Sequence, residues 1–380
     1  MATTKNHISL TKHKYIESTK EQAANVFVYN AHTSDFNSDW IKRLIAKNDS
    51  VFVIQDTDNI KYESLKTLLE KKNYFVTRIN CSEPQESIRI NPFDLAHDTS
   101  EIHAIFNNFL YAFWDNNDPD IQAMSHMVDA FASTVYYVFI NDKAKRNVST
   151  LLKMINSMNA RCVKDGKSVP IYEALFLDNP DPNWIPKKYY AQFLQAAGDQ
   201  KDIVANKVKD FFNMIPESAI QMMNTTDESL SASLYFKTAI FINADSETDK
   251  AVANIVATLL MHTIESADKH TPVVFAMHNI NADRLIPSLP KWIKTSVKND
   301  VDFIVFCNNL NSFNKSERAA QFLNEIKKNM DALLFVHNNS KAEKEKAKLS
   351  EEEQATYHNI EYVATIRVKN AQSMEDDEVF

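Results

Sequence analysis

The chain has 380 residues, 44% hydrophobic and 24% charged, with a formal net charge of −8. That is room for two or three ordinary soluble domains with a sizeable core. The acidic balance, with few arginines among 42 basic residues, argues against a surface built for phosphate contacts, so DNA is a possible ligand but not a favoured one.

The three cysteines, Cys81, Cys162 and Cys307, are odd in number and far apart, so neither a disulfide framework nor a zinc set is expected and a reducing cytoplasm fits. The longest strongly apolar run, 132–140, is about half of the roughly 20 residues a membrane helix needs, and the first residues lack an apolar signal core. The expectation is a cytoplasmic protein without a membrane span. Glycine occurs only twice, at 166 and 198. Phosphate loops, dinucleotide fingerprints and the Gly-x-Ser-x-Gly elbow need glycine for positive φ or close backbone approach, so none occurs here in standard form.

Taken in order, residues 1–23 are polar and predict a mobile arm. Residues 25–29 read as a buried strand, and 36–47, with Trp40, Ile41, Leu44 and Ile45 at helical spacing, as the following helix. An apolar run at 51–54, an amphipathic span at 62–71, a second apolar run at 74–79 and the Asn91-Pro92 stop make a β-α-β unit, the clearest sign of an α/β fold. Helical periodicity at 102–114, 121–140, 149–158 and 187–197 predicts an inserted all-α domain over 99–206. Strands at 237–243, 272–277, 303–308 and 332–337 then alternate with helices at 249–266, 289–297 and 316–330. That pattern predicts a parallel sheet covered on both faces, spanning 24–98 and 207–369. Residues 360–368 alternate like an antiparallel edge or final strand. Residues 341–354 form a charged run, and 370–380 an acidic tail expected to be disordered when unbound.

Three stretches carry a resemblance. Asp56-Thr57-Asp58-Asn59-Ile60-Lys61-Tyr62-Glu63, then Asn73-Tyr74-Phe75-Val76 to Ile79-Asn80, then Ser87-Ile88-Arg89-Ile90-Asn91-Pro92-Phe93-Asp94, stand in the order and spacing of a strand, helix and strand in the conjugative coupling proteins of type IV secretion systems. The chain resembles these TraG/TraD-type DNA-transfer ATPases here most specifically, and more diffusely along most of its length. The resemblance implies a RecA-like P-loop NTPase fold, a mostly parallel sheet between helices with an inserted all-α domain, in proteins that form hexameric rings and deliver DNA to a secretion channel.

The family's active-site residues do not carry over. Its Gly-x-x-x-x-Gly-Lys-Ser/Thr loop corresponds to Asn30-Ala31-His32-Thr33-Ser34-Asp35-Phe36-Asn37. The glycines that wrap phosphate, the lysine and the Mg²⁺-holding hydroxyl are replaced, and Asp35 and Phe36 put a carboxylate and a ring where polyphosphate and cation belong. The Asp-Glu pair after the strand at 273–277 corresponds to His278-Asn279, neither of which can serve as a carboxylate base. Asn308 and Ser312 stand for the family's strand-end glutamines, and Thr57, Asp58 and Asn59 for its Pro-Lys-Gly.

The expectation is therefore a catalytically inactive subunit, with ATP and Mg²⁺ binding lost and no metal. It would act as a scaffold or adaptor in conjugative DNA transfer or type IV secretion. Its partners would be an active coupling ATPase, a relaxosome component or a secretion substrate. The family's N-terminal membrane helices have no counterpart, so a partner would have to recruit the chain to the inner face of the membrane. Two alternatives stay open: a degenerate ATPase that still binds nucleotide or works in a mixed ring, and a DNA-binding module without a motor.

Several features have plainer readings. Asp165-Gly166-Lys167-Ser168 imitates the end of a phosphate loop but lacks the first glycine and a preceding strand, and reads as a polar turn. His278 and Asn279 read as solvated or hydrogen-bonded remnants. His262, His270, His278 and His337 lack the spacing of a helical metal site. The aromatic run 136–139 and Met222-Met223 read as core.

Overall fold

The computed structural model describes residues 6–9, 15–29, 34–56, 62–164, 166–267, 270–278, 280, 282, 285–307, 309–336 and 363–368. The chain begins with β1 (Asn6–Ser9), β2 (Tyr15–Ser18) and β3 (Val26–Tyr29), then α1 (Ser34–Lys47), β4 (Val51–Asp56), α2 (Tyr62–Lys71) and β5 (Phe75–Asn80). Two single-turn helices, α3 (Pro84–Ser87) and α4 (Pro92–Leu95), lead into a helical layer. That layer holds α5 (Thr99–Phe113), α6 (Ile121–Val138), α7 (Val148–Ser157), α8 (Ile171–Leu177), α9 (Ile185–Ala197), α10 (Lys201–Met214), α11 (Glu217–Met222) and α12 (Glu228–Ser233), with a hairpin of β6 (Arg161–Lys164) and β7 (Lys167–Pro170) between α7 and α8. The chain returns to the sheet through β8 (Thr238–Asn243), α13 (Glu247–Ser266), β9 (Val273–Met277), α14 (Leu289–Lys294), β10 (Val301–Cys307), α15 (Glu317–Asn329), β11 (Ala332–Val336) and β12 (Val363–Val368).

Local chemistry sets these boundaries. Asn73 ends α2 in the left-handed region at φ 62°, where asparagine is tolerated, and lets the Tyr74 amide reach back to the Leu69 carbonyl at 3.0 Å. Asn91 caps α4 through the Phe93 amide with Pro92 in its first turn, and Asp98 caps α5 through the amides of Ser100 and Glu101. At α13 the side chains of Ser246 and Asp249 exchange bonds with each other's backbone in a capping box.

The main sheet runs in the order β12-β11-β3-β10-β9-β4-β8-β5. Seven strands are parallel, and β12 pairs antiparallel with β11. Alternate residues of one strand face opposite sides. On β4, Val51 and Val53 pack with the helical layer, while Phe52 and Ile54 pack with α1 and α2. Both sides are covered, so β3, β8, β9 and β10 are buried along their whole length and read as mostly continuous apolar runs rather than as alternating ones.

Three expectations are corrected. The segment 1–23 is not simply a mobile arm, because β1 and β2 pair in register and Ile8 is buried beneath α1. Asn6 Nδ2 donates to Asp302 Oδ2 at 2.6 Å, which ties the hairpin to the sheet. The inserted layer is not all-α, since β6 and β7 form a hairpin whose Gly166 sits at φ +73° in the turn. A strand therefore does precede Gly166, but another strand rather than a helix follows, with Lys167 and Ser168 inside it, while Asp165 lies outside the described residues. Finally, α10 runs without a break across residues 206 and 207 and packs on α6, while α5 packs on α13. The layer and one face of the sheet thus share a continuous core. Met222 and Met223 are buried in it, but in the run 136–139 only Tyr136 and Phe139 pack against the core, with Tyr137 and Val138 exposed.

Candidate functional site

In an open parallel sheet, ligands sit beyond the carboxyl ends of the strands, where neighbouring strands send their following helices to opposite faces. Strand β3 leads into α1, whose Trp40, Ile41, Leu44 and Ile45 cover one face. Its neighbour β10 leads into α15, whose Ala319, Phe322 and Ile326 cover the other. The side also changes between the paired strands β9 and β4, which lead into α14 on one face and α2 on the other, so the ends of β3, β10, β9 and β4 form the rim where a ligand would sit.

His278, directly after β9, fills this rim. Its Nδ1 lies 2.6 Å from the Gln55 carbonyl at the end of β4, and its ring stacks on Phe306 of β10 at 4.0 Å and 13°. Phe306 in turn meets Trp40 of α1 edge-on at 5.5 Å. The Gln55 amide is held by Asn254 Oδ1 of α13 at 2.9 Å. Burial pushes the His278 pKa down to about 4, against a smaller opposing effect of the Gln55 bond. The imidazole is neutral at physiological pH. Because Nδ1 faces a carbonyl it carries the proton, which leaves Nε2 as a buried lone pair without a hydrogen-bond partner among the described residues. His278 is thus hydrogen-bonded as expected, but it is not solvated.

Such a group can accept a hydrogen bond or stack. It offers neither the oxygen that Mg²⁺ prefers nor a carboxylate to order an attacking water. Burial raises the thiol of Cys307, the last residue of β10, to about 11, which disfavours the reactive thiolate. Among the described residues no group of three or more His, Cys, Asp or Glu side chains could hold a metal ion.

The structure brings together only part of the expected site. Asp35, Phe36 and Asn37 fall in the first turn of α1. Ser312 is buried in the 3₁₀ turn Leu310–Lys315, donating to the Asn309 carbonyl at 2.8 Å and accepting from the Ala282 amide at 3.4 Å. Asn30, Thr33, Thr57, Asp58, Asn59, Asn279 and Asn308 lie outside the described residues. Gln55, Phe306 and Asn254 were missed by sequence reasoning. The strand-end positions of Gln55 and Phe306 were readable, but not the strand order that makes them neighbours of His278.

The stretch 87–94 does structural work. Arg89 pairs with Asp227, Nη2 to Oδ1 at 2.7 Å, and Asn91 Nδ2 donates to the Arg146 carbonyl at 2.8 Å. Asp94 takes the Arg146 guanidinium at 3.2 Å and the Thr226 hydroxyl at 2.9 Å. These contacts clip the end of the first β-α-β unit to the helical layer.

Strand order and two-sided cover define a RecA-like α/β fold. Among solved structures, the chain is similar to the bacterial conjugative coupling protein TrwBΔN70 in its unbound monoclinic form, with TM-score 0.60 and 8% identity over 90% of this chain and 75% of that one. It is similar to TrwB in complex with ADP and Mg²⁺, with TM-score 0.56 and 8% identity over 86% and 73%. It is also similar to VirB4 of Thermoanaerobacter pseudethanolicus, with TM-score 0.50 and 13% identity over 97% and 96%. At these identities the likeness is one of fold, and it agrees with the coupling-protein resemblance of residues 56–94. No protein-family model matches the chain, and comparison with curated proteins gives no match. Among the described residues no helix is long and apolar enough to cross a membrane.

Proposed function

We propose that this protein is a coupling-protein-like subunit of a conjugative DNA-transfer or type IV secretion assembly that does not hydrolyse ATP and serves as a scaffold or adaptor. The observation that carries the reading is His278: a neutral, buried imidazole stacked on Phe306 stands at the strand end where hydrolysis needs carboxylates. The sequence 30–37, without glycine or lysine, supports loss of the phosphate cradle. Its partner in this reading is another protein: an active coupling ATPase, a relaxosome component or a secretion substrate. Calorimetric titration with Mg-ATP, run beside a phosphate-release assay, tests the reading. No saturable heat and no release are expected. Binding at micromolar concentration would instead favour a nucleotide-binding subunit, a second reading that the ADP and Mg²⁺ complex of TrwB keeps in view. Turnover would overturn the proposal.

A further inference from the structure

We propose that the open sheet edge at β5 binds the acidic segment 374–380 of a second copy of this chain as an added strand. Among the described residues, strand β5 ends the order of the main sheet and pairs only with β8. On its inner side the Phe75 amide donates to the Lys237 carbonyl at 2.8 Å and the Cys81 amide to the Asn243 carbonyl at 3.0 Å. The period of two turns the amides of Val76, Arg78 and Asn80 outward. Asn80 meets the Ser87 hydroxyl at 3.4 Å, so among the described residues those of Val76 and Arg78 are left for an incoming strand.

The flank of this edge is unusually apolar for solvent. Phe75 is 68% exposed, Phe236 67% and Tyr235 51%, and the bond from Phe75 to Lys237 brings the start of β5 to the backbone just after Phe236. Large apolar side chains this exposed near a sheet edge mark interaction sites. The charge at this end of β5 is positive. Arg78 lies over the Tyr62 ring at 4.8 Å, and Lys72 and Lys237 share the single carboxylate of Asp49 at 3.5 and 2.9 Å, with Lys71 beside them. Glu83 and Glu86 follow the far end of the strand.

The segment Met374-Glu375-Asp376-Asp377-Glu378-Val379-Phe380 complements this edge in kind: four consecutive carboxylates between apolar residues. Reach decides which copy supplies it. Strand β12 lies at the opposite edge, seven strand spacings from β5, or about 34 Å at ~4.8 Å each. Residues 369–374 span at most about 21 Å when fully extended, so the segment following β12 cannot lie along β5 of its own sheet. The contact joins unlike edges of two copies, and such head-to-tail contacts build rings or filaments rather than closed dimers.

Sedimentation velocity of the full chain over a concentration series, with and without excess synthetic peptide 371–380, tests this, together with fluorescence anisotropy of the labelled peptide. Self-association that the peptide reverses is expected, as is peptide binding weakened about tenfold by Phe236→Ser or Arg78→Glu. Both side chains are exposed, so folding is not at stake, and circular dichroism checks it. Association that ignores the peptide and both variants, as β5-to-β5 pairing would, overturns the proposal. So does a chain that stays monomeric and leaves the peptide unbound.

Discussion

Replacing His278 with phenylalanine should make the protein less sensitive to acid. The folded chain holds this imidazole neutral with its pKa near 4, while in the unfolded chain it takes up a proton near pH 6.5. The folded value is the lower one. The contribution of the neutral form is therefore fully present above about pH 6.5 and is lost as the pH falls toward 4. At pH 5 proton uptake by the unfolded state costs about 2 kcal/mol of stability relative to pH 8. Phenylalanine keeps the stack on Phe306 and removes the unpartnered Nε2, at the cost of the bond to the Gln55 carbonyl, about 1 kcal/mol. Urea unfolding followed by tryptophan fluorescence at pH 8 and pH 5 reads the difference. The variant should lie within about 1 kcal/mol of the parent at pH 8 and should gain about 2 kcal/mol on it at pH 5. Parallel pH profiles for the two proteins would refute the buried neutral state.

Other substitutions probe the rest of the fold. His103 Nδ1 lies 2.6 Å from the buried Asp129 carboxylate, a bond that raises the His103 pKa. His103→Ala should cost about 2 kcal/mol near pH 6, discounted for the half-exposed imidazole. The imidazole's contribution is full below about pH 6.5 and is lost as the pH rises through the raised value, while the Asp129 carboxylate left behind is itself disfavoured by burial, so the same urea assay reads the pair near pH 6. Asn6→Ala removes the donor to Asp302 and should lower stability by roughly 1–3 kcal/mol, with faster proteolysis of the first 20 or so residues. Gly166→Ala, at φ +73° with open space around it, should cost about 1 kcal/mol through backbone strain alone, measured as a shift in the thermal midpoint.

Local periodicity located most elements because their cause is local. The helix Tyr62–Lys71 shows its amphipathic stripe and its Asn73 stop within a dozen residues, and the apolar runs at β8, β9 and β10 follow from cover on both faces. What depends on residues far apart in the chain stayed hidden. Asn6 reads as part of a polar lead-in, and distant partners, Asp302 of β10 and Asn48 after α1, help explain why β1 is ordered. In the same way, His278 reads as a vestige until β4 and β10 are known to flank β9, which gives it a carbonyl on one side and a ring on the other. The hairpin of β6 and β7 was obscured because it is short and exposed, so no apolar alternation marks it.

The core shared by sheet and helices bears on how the chain can be divided. Cutting it at residues 99 and 206 would sever α10 in mid-helix and bare Val53, Ile240, Ile242 and the inner face of α13 to water. Each such side chain forfeits roughly 1.5–3 kcal/mol, so a few of them outweigh the stability of an ordinary domain. Neither piece should be soluble by itself. Partner mapping on this protein therefore calls for surface substitutions in the intact chain, because a binding fragment excised at those points would report on unfolded polypeptide.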